Sequence, residues 1–396
     1  MNLPLPKSSL NYEGCHDPKK VQEKFKEIIS TAPRNSEWTG FNDLFQYEGF
    51  WYTPKFLEGL IMAQEEFPAQ PNDIILCSAP KTGTTWLKAL SFAIMNRACL
   101  DDTTNPLLLK TPHECIPFLE IGLFQLKTNR YQEFPLLATH IPFASLPESI
   151  TSSDCKIVYI CRDPKDVLVS LWHFIGNVRA KEKGHFPLEK AFDLFCQGVS
   201  LNGPYWDHVL GYWKASLEWP EKILFLKYEE LKKEASFHVK RLAKFLSHPF
   251  SLDEEREGVV EKIIQLCSFQ NLSNLEVNKS GQYALFASLV VENNRYFRKG
   301  EVGDWKNCLT EEMKEDLQAL MAFKAASDTS SKLTMWNETT DPCTWYGVSC
   351  LQNRVSRLVL EGLDLQGSFE PLTSLSQLRV LSLKRNRLSG SIPDLL

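Results

Sequence analysis

A small polar segment, KTGTT at residues 81–85, lies between a short apolar run and a stretch whose apolar residues have helical spacing. The first N–H groups of a helix are unpaired and carry the positive end of the helix dipole, so a phosphate can dock against them. Gly83 lets the backbone close around the anion, and Lys81 supplies a full positive charge. Three hydroxyls add donors, those of Thr82, Thr84 and Thr85. The segment therefore predicts a phosphate site at a helix N-terminus.

Two other interpretations of this segment have to be weighed. The first is a threonine-rich helix cap that binds no ligand. The second is the phosphate loop of a nucleotide triphosphatase, whose signature places a glycine five residues before a Gly-Lys-Ser/Thr run. Here Lys81 precedes Gly83, and that order excludes the triphosphatase signature.

The elements that must position this turn follow an alternating pattern. Residues 74–80, IILCSAP, form an apolar run that ends in proline, and residues 86–95, WLKALSFAIM, have helical spacing. The same order of strand, turn and helix recurs in residues 155–174, CKIVYICRDPKDVLVSLWHF, and residues 222–231, KILFLKYEEL, offer a third strand. Buried strands that alternate with helices predict an α/β fold with a central parallel sheet and helices on both faces.

Three segments together resemble the cytosolic sulfotransferase family, and in particular a plant flavonol-type member. SAPKTGTTWLKAL (78–90) is similar to the family's 5'-phosphosulfate loop, CRDPKDVLVS (161–170) to its 3'-phosphate segment, and YFRKGEVGDWKN (296–307) to its RKGxxGDWKN signature. The resemblance implies a P-loop-like sulfotransferase fold. It also implies 3'-phosphoadenosine 5'-phosphosulfate (PAPS) as co-substrate, with the sulfuryl group transferred to a hydroxyl of a small acceptor.

The resemblance assigns five residues to the 3'-phosphate, namely Arg162, Ser170, Arg298, Lys299 and Gly300. A 3'-phosphate distinguishes PAPS from ATP, and each arginine can aim two N–H donors at it. Without the resemblance, Arg162 would be interpreted as a structural ion pair with Asp163 or Asp166, and the RKG segment as a solvated basic turn.

Nucleoside contacts follow from the same resemblance. They are assigned to Trp86, Tyr228, Ser268 and Phe269. Each aromatic residue would otherwise be interpreted as part of the core. Cys267 stands where Thr is common in relatives, a departure that affects one hydrogen bond of the family's pattern.

Sulfuryl transfer needs a base for the acceptor hydroxyl and a cation for the leaving phosphate oxygen. His140 lies in LLATHIPFASLP, which resembles the family's THLP catalytic segment, so we assign it as the base and Lys81 as the cation. His113 in KTPHECIPFLE is the second candidate. Ala138 stands where many animal relatives carry a lysine, which places more of the charge neutralisation on Lys81. No metal is expected, because side chains and amides meet the negative charge.

The acceptor side is expected to combine the aromatic-rich residues before Asp73 with two variable loops, Phe118–Tyr131 and Gly281–Phe286. Aromatic lining suits a flavonoid or another phenolic, and apolar lining suits a steroid or another alcohol equally well. For a plant member, flavonols, brassinosteroids, hydroxyjasmonates and desulfo-glucosinolates all stay open. A homodimer also stays open.

Composition limits the class of protein. The chain has 396 residues, 43% of them hydrophobic, and a formal net charge of −5, which fits a globular enzyme and gives no sign of a nucleic-acid partner. No stretch resembles a signal peptide or reaches the roughly 18 apolar residues of a membrane span, so a cytoplasmic protein with no membrane partner is expected. The eleven Cys form no CxxC pair, so neither a zinc site nor a disulfide framework is expected.

Beyond residue 315 the character of the sequence changes, which predicts a sulfotransferase domain at residues 1–315 and a second unit at residues 316–396. Residues 358–369 and 381–392 superpose at a period of 23 residues, as in leucine-rich repeats. WNETTDPCTWYGVSC (336–350) resembles the N-terminal cap of plant leucine-rich-repeat receptors. In such receptors the cysteines equivalent to Cys343 and Cys350 normally pair, although thiols are expected in a reducing cytosol.

This tail holds only about one and a half repeats, and roughly three are needed to bury a continuous core. We therefore expect no stable cover for its leucines, namely Leu358, Leu360, Leu363, Leu365, Leu381, Leu383 and Leu388. The alternative function is a leucine-rich-repeat interaction or receptor-like protein with an incidental enzyme domain. The absence of an export signal, of further repeats and of a kinase domain argues against this alternative. We assign no protein partner to the fragment. A chimeric gene or a chimeric gene model is our preferred explanation of the tail.

Overall fold

The structure is a computed structural model that describes residues 18–38, 43–99, 105–121, 135–178, 186–286, 289–307, 348–351 and 354–390, together with residues 319, 322–323 and 326–327. Within these residues no helix is long and apolar enough to cross a membrane.

The strands are, in chain order, β1 (Arg34–Asn35), β2 (Leu44–Tyr47), β3 (Phe50–Tyr52), β4 (Ile74–Ser78), β5 (Leu136–Thr139), β6 (Lys156–Cys161), β7 (Ile223–Lys227), β8 (Gln282–Phe286), β9 (Leu289–Glu292), β10 (Val348–Leu351), β11 (Arg354–Val359), β12 (Gln366–Ser368), β13 (Val380–Ser382) and β14 (Arg387–Ser389). The α-helices are α1 (Pro18–Thr31), α2 (Pro54–Glu66), α3 (Thr84–Asn96), α4 (Pro112–Cys115), α5 (Glu148–Ser152), α6 (Pro164–Val178), α7 (Leu188–Cys196), α8 (Tyr205–Glu218), α9 (Tyr228–Lys233), α10 (Ala235–Phe245), α11 (Leu252–Arg256), α12 (Val259–Leu266), α13 (Phe269–Asn274) and α14 (Glu276–Ser280).

A parallel sheet with strand order β5-β4-β6-β7 forms the centre of the enzyme part. Leu76 of β4 pairs with Ala138 of β5 on one side and with Val158 of β6 on the other, and Val158 pairs in turn with Leu224 of β7. Every residue of β4 is buried, as expected for a strand that is covered on both faces. The predicted parallel sheet is confirmed.

Helices cover both faces of this sheet because successive side chains of a strand point to opposite sides. Leu76 and Val158 pack into one apolar cluster with residues of α3, α10 and α12. Ile75 and Ile157, one position away in each strand, pack into another cluster with residues of α2 and α8. The carboxyl ends of β4, β5 and β6 therefore meet at one edge, where ligands bind in folds of this kind.

The aromatic residues before the sheet contribute to the core. β1, β2 and β3 form a small antiparallel sheet. Trp38 is fully buried, and it shares a third apolar cluster with Trp51 and with residues of α6 and α7. Burial of large aromatic side chains here ties the early residues to α6, which follows the third strand of the sheet.

The tail packs some of its leucines, contrary to our expectation that none would find cover. β11 and β13 pair in parallel with Leu358 opposite Leu381, which are 23 residues apart. Leu358, Leu360 and Leu365 are fully buried in a small cluster that includes Phe323. The buried residues that cover these leucines lie within residues 319–375, whereas the side chain of Leu381 is 38% exposed. Cys343, and with it the predicted pair with Cys350, lies outside the described residues, as does the boundary at residues 315 and 316.

Candidate active site

The turn between β4 and α3 has the geometry of an anion site. Lys81 (φ 69°) and Gly83 (φ 112°) both adopt left-handed backbone conformations, which turn the chain sharply into the helix. No side chain caps the start of α3, and the first three residues of this helix line the cavity. A Cβ at position 83 would lie 2.8 Å from the ring of Tyr228, so both space and backbone conformation require glycine.

The three threonine hydroxyls of this turn differ in what they can reach. Thr84 and Thr85 line the cavity. Thr82 does not: its hydroxyl donates to the carbonyl of Ala79 at 2.8 Å and its side chain is fully buried. The expectation that Thr82 offers a hydroxyl donor to the anion is therefore wrong, because its hydroxyl hydrogen is used in a hydrogen bond within the turn.

Arg162, at the end of β6, points into the same cavity. Its Nη2 donates to the carbonyl of Glu301 at 2.5 Å and lies 3.4 Å from the carboxylate of Asp166, while its guanidinium stacks on the ring of Tyr228. The ion pair with Asp166 that the residue types suggested is thus present. Arg162 also lines the cavity, so its structural ion pair does not prevent a ligand from reaching it.

The RKG segment is brought to Arg162 by Asp166. The carboxylate of Asp166, which is 1% exposed, accepts the N–H groups of Gly303 at 2.7 Å and Trp305 at 3.1 Å. Arg298 and Lys299 both pair with Asp304, at 2.5 and 2.6 Å. The segment is therefore held in place by two buried carboxylates.

Two arginine nitrogens are left without a partner. The Nε atoms of Arg162 and Arg298 are buried and make no hydrogen bond. A buried unsatisfied donor is costly, roughly 1–3 kcal/mol and more for a charged group, so an anion that accepts from both would relieve this cost. Ser170, which also lines the cavity, adds a hydroxyl donor. The residues present fit a phosphate group at this point.

An aromatic wall lies next to the two arginines. Trp86 and Tyr228 meet edge to face with ring centroids 5.5 Å apart, and the Tyr228 hydroxyl donates to the carbonyl of Gly300 at 3.0 Å. Phe269 packs under Gly300, where a Cβ would come within 2.5 Å of its ring. Ser268 lines the cavity too, and its hydroxyl accepts from the first turn of α13. This wall can stack a planar base.

Cys267, next to Ser268, is fully buried in the cluster under α3. Burial raises the pKa of its thiol, so it is neutral at ordinary pH.

His140 follows β5 and is held in one orientation. Its Nδ1–H donates to the main-chain carbonyl of Ser78 at 2.6 Å, which leaves Nε2 as the free acceptor in the cavity. Its backbone N–H donates to the carboxylate of Glu120 at 2.8 Å, and the hydroxyl of Thr139 donates to the other oxygen. Burial lowers the pKa of His140 to about 3, so its imidazole is neutral and Nε2 carries a lone pair.

Lys81, in the anion-binding turn, also lines the cavity. Its ammonium stacks over the ring of Phe174, with Nζ 4.3 Å from the ring centre. Burial, together with the positive charges of Arg298 and Arg162, lowers the pKa of Lys81 to about 7. A bound anion would reverse both effects, because it supplies the missing countercharge.

One cavity of about 340 Å³ collects nearly all the predicted site residues. It is lined by Lys81, Gly83, Thr84, Thr85, Trp86, His113, His140, Arg162, Ser170, Tyr228, Ser268, Phe269, Arg298, Lys299 and Gly300. Thr82 alone is missing from that wall. In the described residues no group of three or more side chains is arranged to hold a metal ion.

Further aromatic side chains line the cavity. They include Phe56, Phe118, Phe174 and Tyr296, and Ile121 lines it too. The first residues of the predicted loop 118–131 are therefore at the site, and residues 122–134 lie outside the described part of the chain. Of the second predicted loop, Tyr283 contacts the ring of His113 at a centroid distance of 5.9 Å.

Several contacts that hold the cavity wall were not predicted from the sequence, which suggested Asp166 only as an ion-pair partner of Arg162. Glu120 accepts the backbone N–H of His140, and Nε2 of His208 donates to the carbonyl of His140 at 3.0 Å. Asp166 accepts two backbone N–H groups of residues 303–305. Lys88 is also fully buried there. The only signal was a charged residue inside an apolar run, as for Lys88 in WLKALSF and Glu120 in IPFLEIG.

Fold and cavity together fit one class of protein: an α/β enzyme with an anion-binding turn at a helix N-terminus and, in the same cavity, an arginine pair suited to a second anion. The sequence family described as "Sulfotransferase domain" matches residues 71–332, and the chain belongs to this family. It is a PAPS-dependent sulfotransferase, similar to plant cytosolic members.

Among curated relatives, a "Flavonol sulfotransferase-like" protein of Flaveria bidentis is 51% identical over 302 residues, which is 76% of this chain and 97% of that protein. Cytosolic sulfotransferase 17 of Arabidopsis thaliana is 48% identical over 318 residues, 79% of this chain and 92% of that protein. The expected family is thereby confirmed.

Solved structures agree with this family. A putative steroid sulphotransferase of Arabidopsis thaliana superposes with a TM-score of 0.55 at 42% identity, covering 65% of this chain and 89% of that one. A mouse sulfotransferase complexed with PAP superposes with a TM-score of 0.56 at 27% identity, covering 74% of this chain and 98% of that one.

Proposed function

We propose that His140 is the base and Lys81 the cation in transfer of the sulfuryl group from PAPS to a phenolic hydroxyl. One observation carries the assignment of the base. The bond from Nδ1 of His140 to the carbonyl of Ser78, 2.6 Å long, leaves Nε2 unprotonated in the cavity that also contains Lys81. A neutral imidazole with a fixed tautomer is what proton abstraction requires.

In the proposed reaction, Nε2 of His140 takes the proton of the acceptor hydroxyl as its oxygen attacks the sulfur. The bond from sulfur to the phosphate oxygen breaks. Lys81 and the first N–H groups of α3 receive the negative charge that forms on that oxygen. His140 becomes positively charged in this step, and the anionic acceptor and co-substrate stabilise that charge. They thereby offset the effect of burial, which by itself lowers the pKa of His140.

The remaining residues would hold the nucleotide. The 5'-phosphosulfate is assigned to Lys81, Thr84 and Thr85, with the backbone of Thr82 and Gly83. The 3'-phosphate is assigned to Arg162, Ser170, Arg298, Lys299 and Gly300. The unpartnered Nε atoms of Arg162 and Arg298 support this assignment. Trp86, Tyr228, Ser268 and Phe269 are assigned to the nucleoside, supported by the aromatic wall that they form.

We infer a flavonol or a related planar phenolic as the acceptor. The relatives at 50–52% identity are named as flavonol sulfotransferases. The acceptor end of the cavity is lined by aromatic rings, including those of Phe118 and Tyr296, which can stack on a flat ring system. Such an enzyme would act in the cytoplasm, as the names of the cytosolic relatives suggest.

The purified full chain should be assayed with PAPS and a panel of acceptors, comprising flavonols, simple phenols, a brassinosteroid, a hydroxyjasmonate and a desulfo-glucosinolate. We expect the highest kcat/KM with a flavonol and formation of PAP in equal amount to the sulfated product. A steroid that outperforms every flavonol would overturn the acceptor assignment but leave sulfuryl transfer intact.

We propose further that residues 316–396 are a leucine-rich-repeat cap with about one and a half repeats, joined to a sulfotransferase domain at residues 1–315. The parallel pairing of Leu358 with Leu381, one 23-residue period apart, supports this proposal. A single transcript that spans codons 310 to 330 would support a fused gene. Two separate transcripts would mean that the junction belongs to a gene model only.

A further inference from the structure

A fully buried lysine lies one helical turn beyond the anion-binding turn. Lys88 of α3 has no exposed surface. It follows Thr85 by three residues, so the two side chains lie on the same face of the helix. Burial of a lysine is costly unless its charge meets suitable partners, so the partners of Lys88 indicate its role.

Three groups surround the ammonium of Lys88, and all three accept. Its Nζ lies 2.9 Å from the carbonyl oxygen of Ile116, 3.3 Å from Nδ1 of His113 and 3.3 Å from the ring centre of Phe118. An ammonium has three N–H donors and no lone pair, which matches a carbonyl, an imine nitrogen and the negative face of a ring. A neutral amine would direct its lone pair at one of them. The geometry therefore fits the charged form.

The charge on Lys88 determines the tautomer of His113. If Nδ1 of His113 accepts from Lys88, the ring proton must be on Nε2, which lies 3.1 Å from Oγ1 of Thr85. The ring cannot easily turn away, because Phe118 and Tyr296 stack against it at centroid distances of 5.5 and 4.4 Å. Oγ1 of Thr85 is thus an acceptor from His113, and its own hydrogen is free to point into the cavity.

Burial and charge act on Lys88 in opposite directions. Burial lowers the pKa of Lys88 well below its usual range and the negative charge of Glu120 acts to raise it, while the three acceptors around Nζ favour the charged form. Burial and the charge on Lys88 lower the pKa of His113, so its imidazole is neutral. A neutral His113 accepts at one ring nitrogen and donates at the other. If it accepts from Lys88, it must therefore donate to Thr85.

We propose that Lys88 is a positioning residue of the sulfuryl-transfer site, which acts through His113 to orient the hydroxyl of Thr85 toward the anion bound at the turn. Loss of the proton on Lys88 would reverse the chain: Nδ1–H of His113 would donate to Nζ, and Nε2 would accept from Thr85. The hydroxyl would then point away from the anion. This inference rests on the proposed assignment of Thr85 to the 5'-phosphosulfate.

A double-mutant cycle on the full chain tests the connection. PAP binding is measured by calorimetry for the native protein, Lys88→Met, Thr85→Val and the double variant. We expect each single variant to bind PAP roughly 10-fold to 100-fold more weakly, as for loss of a charge-assisted hydrogen bond. We expect the double variant to bind no more weakly than Thr85→Val, because Lys88 acts only through that hydroxyl. Additive losses would overturn the proposal.

The matched control is Lys156→Met. Nζ of Lys156 also donates to a carbonyl, that of Phe245 at 2.6 Å, and lies 5.4 Å from the centre of its ring, but it does not line the cavity. Its variant should bind PAP like the native protein. If Lys88→Met does not fold, His113→Phe replaces it in the cycle, since it removes both hydrogen bonds and keeps an aromatic ring in the stack.

A second measurement reports the tautomer directly. In ¹⁵N-histidine NMR spectra, the signals of His113 are identified by their absence in His113→Phe. We expect the proton on Nε2 in the native protein and in Lys156→Met, and on Nδ1 or shared in Lys88→Met. A proton on Nδ1 in the native protein would refute the inference. If the native chain did not bind PAP at all, the proposed function would fail first, and that result is distinguishable from an additive cycle.

Discussion

His140 and Ser78 are joined by a hydrogen bond of 2.6 Å from Nδ1 to the main-chain carbonyl. The two residues lie at the carboxyl ends of β5 and β4, which are neighbours in the sheet. The bond ties the orientation of the imidazole to the strand that enters the anion-binding turn. The proposed base and the anion-binding turn are therefore supported by neighbouring strands of one sheet.

Replacement of His140 by alanine should remove turnover and leave nucleotide binding intact. Loss of a general base costs on the order of 10² to 10⁴ in rate. We expect kcat with a phenolic acceptor to fall by this factor, and PAP affinity measured by calorimetry to stay unchanged.

His248→Ala is the control for that variant, because Nδ1 of His248 also bonds a carbonyl, that of Leu246 at 2.8 Å, outside the cavity. Its rate should equal that of the native enzyme. Retention of most activity in His140→Ala would instead direct the search for the base to His113.

Binding of PAP should take up a proton at Lys81. Before PAP binds, the pKa of Lys81 is about 7, which is lower than the usual value for a lysine. A bound anion raises this pKa. Below pH 7 the lysine is charged before and after binding, so the affinity for PAP does not change with pH through this group. Above pH 7 Lys81 must gain a proton when PAP binds. The affinity then falls by up to about tenfold per pH unit until the pKa of Lys81 in the complex is reached.

Calorimetry in two buffers of different ionisation enthalpy at pH 8 measures this proton uptake. Lys81→Met should bind PAP weakly, lose most activity and show no uptake. Equal uptake in native and variant proteins would assign the proton to another group.

The protein should prefer PAP to ATP if Arg162 and Arg298 bind the 3'-phosphate as proposed. Arg298→Met should weaken PAP binding by roughly 10-fold to 100-fold and leave the weak binding of ATP nearly unchanged. Arg256→Met is the control, since Arg256 forms an exposed pair with Asp253. Native affinity for ATP equal to that for PAP would contradict the assignment.

Gly300→Ala should damage the nucleotide site more than Gly303→Ala. Both glycines have positive φ, so alanine adds a similar backbone cost of roughly 1–2 kcal/mol at either position. At position 300 a Cβ would also lie 2.5 Å from the ring of Phe269, whereas at 303 the nearest atom is 3.9 Å away. PAP affinity of the two variants, measured side by side, tests this; equal losses would mean that Phe269 gives way without cost.

Removal of the tail should leave the enzyme active, and the position of the cut should decide its solubility. A chain that ends at residue 315 loses the whole tail cluster, whereas one that ends at residue 330 keeps Phe323 without the partners that bury it. We expect both to bind PAP and the second to aggregate more. In the full chain, limited proteolysis should cut first between Lys314 and Trp336. Loss of PAP binding in the shorter chain would show that the tail supports the enzyme fold.

Local signals were enough for much of the site. A strand, a glycine-containing turn and a helix start are encoded within residues 74–95, so the anion site at Lys81 and Gly83 was predictable from neighbouring residues. The alternation of buried strands and helices likewise predicted the parallel sheet. Three motifs in order carried the resemblance to the sulfotransferase family, and that resemblance implied the co-substrate.

The residues behind the cavity wall were not predictable in this way. Glu120 and Asp166 act on backbone groups 20 and 137 residues away, at His140 and Gly303, and no local pattern encodes such a contact. Thr82 shows the converse case, since the direction of its hydroxyl depends on the closure of the turn and not on its residue type.

The sequence by itself determined which chemical groups are available and which short segments present them: a lysine and amides for one phosphate, two arginines for another, and a histidine after a strand. Only the tertiary structure decided which nitrogen of His140 is free, which arginine atoms lack partners and which charges are buried. The reason is physical. Tautomer, burial and hydrogen-bond direction depend on atoms that the fold brings within about 3 Å from distant parts of the chain.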